Sequence, residues 1–287
     1  MVTLLALGAA LSYGVADFLG GVVTRYSSTF KALFWCVPAG LAVLFVSALL
    51  TGRVPTTTSL AWGFAAGIAG GAGLMTFYRA LARGPMSVVA PVSALASALL
   101  PIGVGVARGE RLDTTVLSGV LLCLVAIALV SMEKSDGPSE RSSNRFDNGP
   151  LMAVASGVGF GLFFIMVKQA GTDGGLWPLV AARAGNLSIV AIALAVVLAR
   201  GGAPGARVSG RRLIGLAVLS GTLDASANVL YYLAANSGLL SLAAVLTSLY
   251  PAITVLLARI AFSERLRTVQ RLGLALAVTG VTLVTVG

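Results

Sequence analysis

Four charged side chains stand inside long apolar stretches of this sequence: Asp17, Arg79, Arg183 and Asp224. In hydrocarbon such a group costs at least about 2.5 kcal/mol at a helix centre, so each needs a partner or a job. The spacing around Asp224 is informative. Asn228, Tyr231 and Tyr232 follow it at offsets of four, seven and eight residues, which share one face of an α-helix. Tyr13, Asp17 and Gly20 repeat the pattern near the start, and Thr247, Tyr250 and Thr254 share a side farther on. These groups offer carboxylates that bind and release protons, an Arg183–Asp224 ion pair, hydrogen-bonding phenols and an amide. Tyrosine faces also attract a small cation by roughly 0.5–2 kcal/mol. The competing use of the same side chains is interhelical hydrogen bonding, worth under about 1 kcal/mol each. Asp224 leads as the proton-exchanging carboxylate, because it falls near mid-span, where burial and a neighbouring arginine compete over its protonation. Asp17 is second.

Other chemistries have no footing. The chain contains no histidine, and neither H-E-x-x-H, G-x-S-x-G nor a phosphate-binding G-x-x-x-x-G-K-[ST] occurs. Cys36 and Cys123 sit deep in apolar runs and read as small packing residues, with no disulfide framework. No catalytic residue, metal ligand or cofactor is expected, and ATP is not the direct drive.

The elements that must position the polar residues follow from composition. Of 287 residues, 57% are hydrophobic and 10% charged, against about 25% charged in soluble domains. The solvent is therefore lipid. A bilayer core needs roughly 20 apolar residues per helix, and ten stretches qualify: 3–24, 31–51, 60–82, 87–107, 113–132, 150–170, 176–199, 211–235, 239–262 and 268–286. The first has no basic residue before it and carries Asp17, so it reads as a retained helix rather than a signal peptide. Gly63, Gly67 and Gly71 make a small-residue ridge for close helix contact, while Pro91, Pro101 and Pro251 interrupt backbone hydrogen bonding. The net charge of +10 is scattered among connections and forms no face for nucleic acid. Fourteen Lys and Arg follow odd-numbered spans and four follow even-numbered ones. That bias puts both termini outside and the middle of the chain inside.

Internal repetition sets the plan. A shift of 154 residues lays Gly67 on Gly221, Tyr78 on Tyr232, Ser87 on Ser241 and Glu110-Arg111-Leu112 on Glu264-Arg265-Leu266. A slightly shorter shift lays Tyr13-Gly14 on Phe160-Gly161. Residues 1–132 and 150–287 thus read as two five-helix repeats joined by a polar linker at 133–149. With an odd number of spans in each, the second copy is inverted relative to the first.

The paired halves, Tyr13-Gly14, Phe160-Gly161, Ala182-Arg183, Gly109-Glu110-Arg111-Leu112 and Ser263-Glu264-Arg265-Leu266 resemble the EamA type of the drug/metabolite transporter superfamily. The first half departs from the second in having Pro38 rather than an arginine roughly opposite Arg183. The resemblance implies an all-α permease of ten transmembrane helices with a central cavity lined mainly by helices 1, 3, 4, 6, 8 and 9. It also implies movement of metabolites or drugs by exchange or ion coupling. The expected site is Tyr13, Asp17, Arg183, Asp224, Asn228, Tyr231, Tyr232 and Tyr250. The expected partners are a small-molecule substrate, protons and the lipid of the inner (plasma) membrane, with no nucleic acid. A homodimer is compatible with the sequence. A channel-like pore and a membrane-embedded enzyme are the alternatives, the enzyme disfavoured by the missing motifs.

Overall fold

The computed structural model describes residues 1–26, 29–81, 86–110, 113–131, 149–199, 210–261 and 268–286, and every regular element among them is an α-helix. In chain order these are α1 (Val2–Tyr26), α2 (Thr29–Leu50), α3 (Thr57–Leu81), α4 (Met86–Ala107), α5 (Thr114–Ser131), α6 (Gly149–Gln169), α7 (Trp177–Ala199), α8 (Arg211–Ser237), α9 (Leu240–Thr247), α10 (Tyr250–Ala261) and α11 (Thr268–Val286). The 133–149 linker expected from the sequence lies almost wholly outside the described residues. Helices satisfy all their backbone groups internally, which a hydrocarbon solvent demands. Six are long and apolar enough to cross a bilayer: Val2–Val23, Ala32–Leu50, Thr57–Phe77, Leu151–Gln169, Trp177–Ala199 and Arg211–Ser237. Shorter apolar helical stretches run over Val92–Ala107, Thr114–Leu129, Leu240–Thr254 and Arg271–Leu283.

The ninth span is not the single helix expected over 239–262. It breaks into α9 and α10 at Ser248 and Leu249. Pro251 has no N–H to offer the carbonyl of Thr247, so the ladder lapses there. The chain tightens instead, with the N–H of Leu249 donating to the Leu246 carbonyl at 3.3 Å and that of Ala252 to the Leu249 carbonyl at 2.9 Å. By contrast α4 runs unbroken through Pro91 and Pro101, and α2 through Pro38.

Packing is closest where glycine lets backbones meet. The ridge read in α3 fits α7: a methyl at Gly63 would strike the backbone of Pro178, one at Gly67 that of Ala182, and one at Gly71 would lie 3.3 Å from Asn186 Cα. In α8, a methyl at Gly221 would strike the backbone of Cys36 in α2. The other principal contacts set α3 on α6, α8 on α1, α4 on α6, α1 on α9 and α10, and α5 on α11.

Candidate functional site

Arg183 of α7 meets Asp224 of α8 in an ion pair between the guanidinium and the carboxylate. The arginine side chain is 11% exposed and the aspartate 33%. One turn on, the Asn228 amide donates to the Asp224 main-chain carbonyl at 2.7 Å and lies 3.4 Å from its carboxylate. Space for the pair comes from α2, where a methyl at Gly40 would lie 3.5 Å from the guanidinium carbon. The pairing that the sequence raised is therefore made, and Asn228 belongs to it.

Asp17 stands apart. Ala6, Ala10, Tyr13 and Asp17 fall at offsets of four, three and four along α1, on one face. Ala6 is fully buried, Ala10 3% exposed, Tyr13 half-buried and Asp17 exposed. The lipid-type face of α1 is a different one, marked by the exposed Leu4 and Leu11. Asp17 is thus exposed on a face of α1 other than the one Leu4 and Leu11 mark, and exposure along that face rises from Ala6 toward Asp17. Among the described residues its carboxylate makes no ion pair. Tyr13 lies within electrostatic range of Arg183, Tyr231, Asp17 and Tyr250, which ties the α1 stripe to the ion pair. The Tyr13 and Tyr250 rings sit 6.1 Å apart across α1 and α10.

Tyr231 and Tyr232 are placed differently from the cavity wall expected of them. Both are buried, at 0% and 2% exposure. The Tyr231 hydroxyl donates to the Phe164 carbonyl at 3.1 Å, its ring centroid 4.3 Å from that of Phe164. The Tyr232 hydroxyl donates to the carbonyl of Gly171. They fasten α8 to α6 and to the connection after it. Thr247 and Thr254 likewise donate to α1, at the carbonyls of Ala6 (3.4 Å) and Gly14 (3.1 Å). The Arg79 side chain lies outside the described residues. A shallow hollow bounded by Thr57, Thr58, Ala61 and Trp62 contains none of the site residues.

Two groups were not among the expected site residues. Phe77 of α3 pairs with Phe160 of α6 at 6.2 Å, and Phe163 with Phe164 at 5.8 Å, forming an apolar aromatic cluster that reaches Tyr231. The spacing of Phe160, Phe163 and Phe164 on α6, offsets of three and four, carried that signal.

The other is Glu110. At the end of α4, Gly109 takes a φ of 89°, and the N–H groups of Gly109 and Glu110 return to the carbonyls of Val106 (2.9 Å) and Gly105 (3.0 Å). This glycine-ended helix stop turns the Glu110 carboxylate onto the start of α9. There it accepts hydrogen bonds from the Leu240 N–H (2.7 Å), the Ser241 N–H (3.2 Å) and the Ser241 hydroxyl (2.7 Å). Lys168, at the end of α6, lies 3.6 Å away and donates to the Gly238 carbonyl at 3.2 Å. Burial alone would push the Glu110 carboxyl up. The Ser241 hydroxyl, the two N–H groups and Lys168 outweigh it and hold the carboxyl below the ordinary carboxylate value.

The sequence profile of the EamA-like transporter family matches residues 1–132 and 147–286. The chain belongs to the EamA-like transporter family. It is accordingly a multi-pass membrane protein of a transporter family, and that family's members are transporters rather than enzymes. No curated protein matches the sequence. One crystal structure of another protein superposes with a TM-score of 0.76 over 99% of this chain and 96% of its own, at 20% sequence identity. At that identity the likeness extends to the fold alone.

Proposed function

We propose that this chain is a secondary transporter of the plasma membrane, carrying a small amphipathic molecule between two inverted five-helix halves and coupling that movement to protons at Asp17. The halves are residues 1–132 and 150–287. The principal packing supports this plan, because its largest helix contacts interchange when α1–α5 are exchanged with α6–α11, α9 and α10 counting together. The contact of α3 with α6 becomes that of α8 with α1, α3 with α7 becomes α8 with α2, and α4 with α6 becomes α9 and α10 with α1. Gly14 and Gly161, equated by the sequence, also play the same part. A methyl at Gly14 would lie 2.8 Å from the Tyr250 carbonyl oxygen and one at Gly161 3.3 Å from that of Ser97.

The α1 stripe carries the functional reading. It runs from fully buried Ala6 to exposed Asp17, the profile of a cavity shut at one end and open at the other. Asp17 and Asp224 then exchange rank as coupling candidates. Asp224 has a guanidinium to neutralise it, whereas Asp17, without a fixed counter-charge among the described residues, needs a proton or a cationic ligand group as the cavity dries. Tyr13 and Tyr250 supply aromatic contact beside it.

A thermal-shift screen of metabolites on the purified protein identifies a ligand, since a true one stabilises the folded state by mass action. Proteoliposomes then separate the possibilities. Saturable counterflow is the mark of a carrier and its absence that of a channel. Asp17→Asn is expected to abolish accumulation driven by a proton gradient while sparing substrate exchange. Accumulation at the unmutated rate by a stable Asp17→Asn protein would remove the proton from Asp17.

A further inference from the structure

Glu110 does more than end a helix. It comes from the connection after α4, in the first half of the chain, and everything it holds belongs to the second half: Leu240 and Ser241 of α9, and Lys168 of α6. The carboxylate is 13% exposed on its side chain, and it fits only because Gly105 is bare. A methyl there would lie 2.5 Å from the Ser241 hydroxyl and 2.7 Å from the Glu110 carboxyl carbon. Directly inward of this cluster the assembly is solid. Leu240, Ala243, Ala244, Val245, Leu246 and Thr247 are buried at 1% exposure or less, as is Ala6. The end of the α1 stripe that is shut is therefore the end that Glu110 ties together.

We infer that Glu110 is the latch of the gate at this end of the cavity: engaged on the start of α9 it holds the two halves shut here, and its release admits solvent between α1 and α9. The inference rests on the transporter reading above, but its test needs no substrate. Every donor to the Glu110 carboxylate is provided by the second half, so separating the halves exposes Glu110, the Leu240 and Ser241 amides and Lys168 to water together. The latch is electrostatic, and acid weakens it. Its carboxyl is held below the ordinary value in the closed form, so its contribution is complete at neutral pH and is lost as the pH falls through the carboxylate range into the lowered value. The charged and titratable groups around Glu110 are Lys168 from α6 and Tyr231 from α8, with Arg108 on its own connection engaged to Gln169 at 2.8 Å.

The test uses two single-thiol proteins. One carries Cys36→Ser, Cys123→Ser and Ala6→Cys; the other carries Cys123→Ser and keeps native Cys36, half-buried and close to Arg183, as the reporter. Glu110→Ala is expected to raise the labelling rate of the thiol at position 6 by tenfold or more, and Ser241→Ala by a few-fold. Labelling of Cys36 should fall in the same variants, as the opposite end closes. Because labelling needs the thiolate, rates are taken relative to a freely exposed thiol at the same pH; on that scale acidification should raise labelling at position 6 in the parent and leave Glu110→Ala unaffected. If Glu110→Ala is too unstable to purify, Ser241→Ala and the pH arm decide alone. Unchanged labelling at position 6 alongside a lowered melting temperature would reduce Glu110 to a helix cap and overturn the latch. Faster labelling at position 6 with Cys36 unaltered would mean local fraying and would overturn it equally. Because both readouts are thiol accessibility, the latch can fail while proton-driven transport through Asp17 stands, and the reverse.

Discussion

Asp17 and Asp224 are the same carboxylate in different company, and the difference decides what each substitution does. Removing the Asp224 charge strands Arg183, whose side chain is only 11% exposed. Stranding one member of a fully buried pair costs about 3–5 kcal/mol, and of an exposed pair about 0–1 kcal/mol. The 33% exposure of Asp224 places Asp224→Asn between them. A melting experiment on Asp224→Asn should therefore show clear destabilisation, with most of it recovered in the double mutant Asp224→Asn with Arg183→Gln. Failure of the second change to restore anything would mean that Arg183 has another anchor. Tyr231→Phe loses one hydrogen bond, to the Phe164 carbonyl, and should cost about 1 kcal/mol while leaving transport intact. Helical spacing made the Asp224 face legible in the sequence, because all its members lie within nine residues. It could not reveal Glu110, whose partners Lys168, Leu240 and Ser241 lie 58, 130 and 131 positions away. Nor could it say that the Tyr231 and Tyr232 hydroxyls are spent on main-chain carbonyls, since a phenol on a polar stripe looks the same whether it faces a cavity or a neighbouring helix.

Among the elements, the interrupted ninth span shows what hydropathy misses. The apolar run is continuous from Leu239 to Ala261 apart from a few hydroxyls and Arg259, so a window average sees one helix. The backbone sees Pro251. The Ser248 hydroxyl at the break is buried and has no hydrogen-bond partner among the described residues. Pro251 sits in the first turn of α10, where proline is tolerated. Pro251→Ala should accordingly change stability by no more than about 1 kcal/mol, yet let α9 and α10 fuse. If the break is where the span flexes, turnover in proteoliposomes should slow in this variant although its melting temperature barely moves. Turnover equal to the parent's would make the break a passive kink.

For the whole molecule, the argument for two repeats is the common shift, which lays identical residues such as Gly67 and Gly221 on one another. The orientation rests on charge alone. The excess of Lys and Arg after odd-numbered spans predicts that a reporter active only outside the cytoplasm, fused after Gly287, will be active; silence would invert the topology and the direction of every gradient argument. The relative motion of the halves was not legible, and the glycine contacts bear on it. At α3 on α7 and α2 on α8, main chain rests against main chain, with no side chain of Gly63, Gly67 or Gly221 between. Interlocked side chains resist sliding, because each must climb out of its hole. A bare backbone track has little to climb and behaves as a low-friction bearing. The helices that bear on these tracks are the ones carrying Arg183 and Asp224, so the ion pair rides on the bearing. Roughening the track with Gly67→Ala, which would set a methyl against the Ala182 backbone and cost about 1–3 kcal/mol through overpacking, should slow turnover more than it weakens ligand binding.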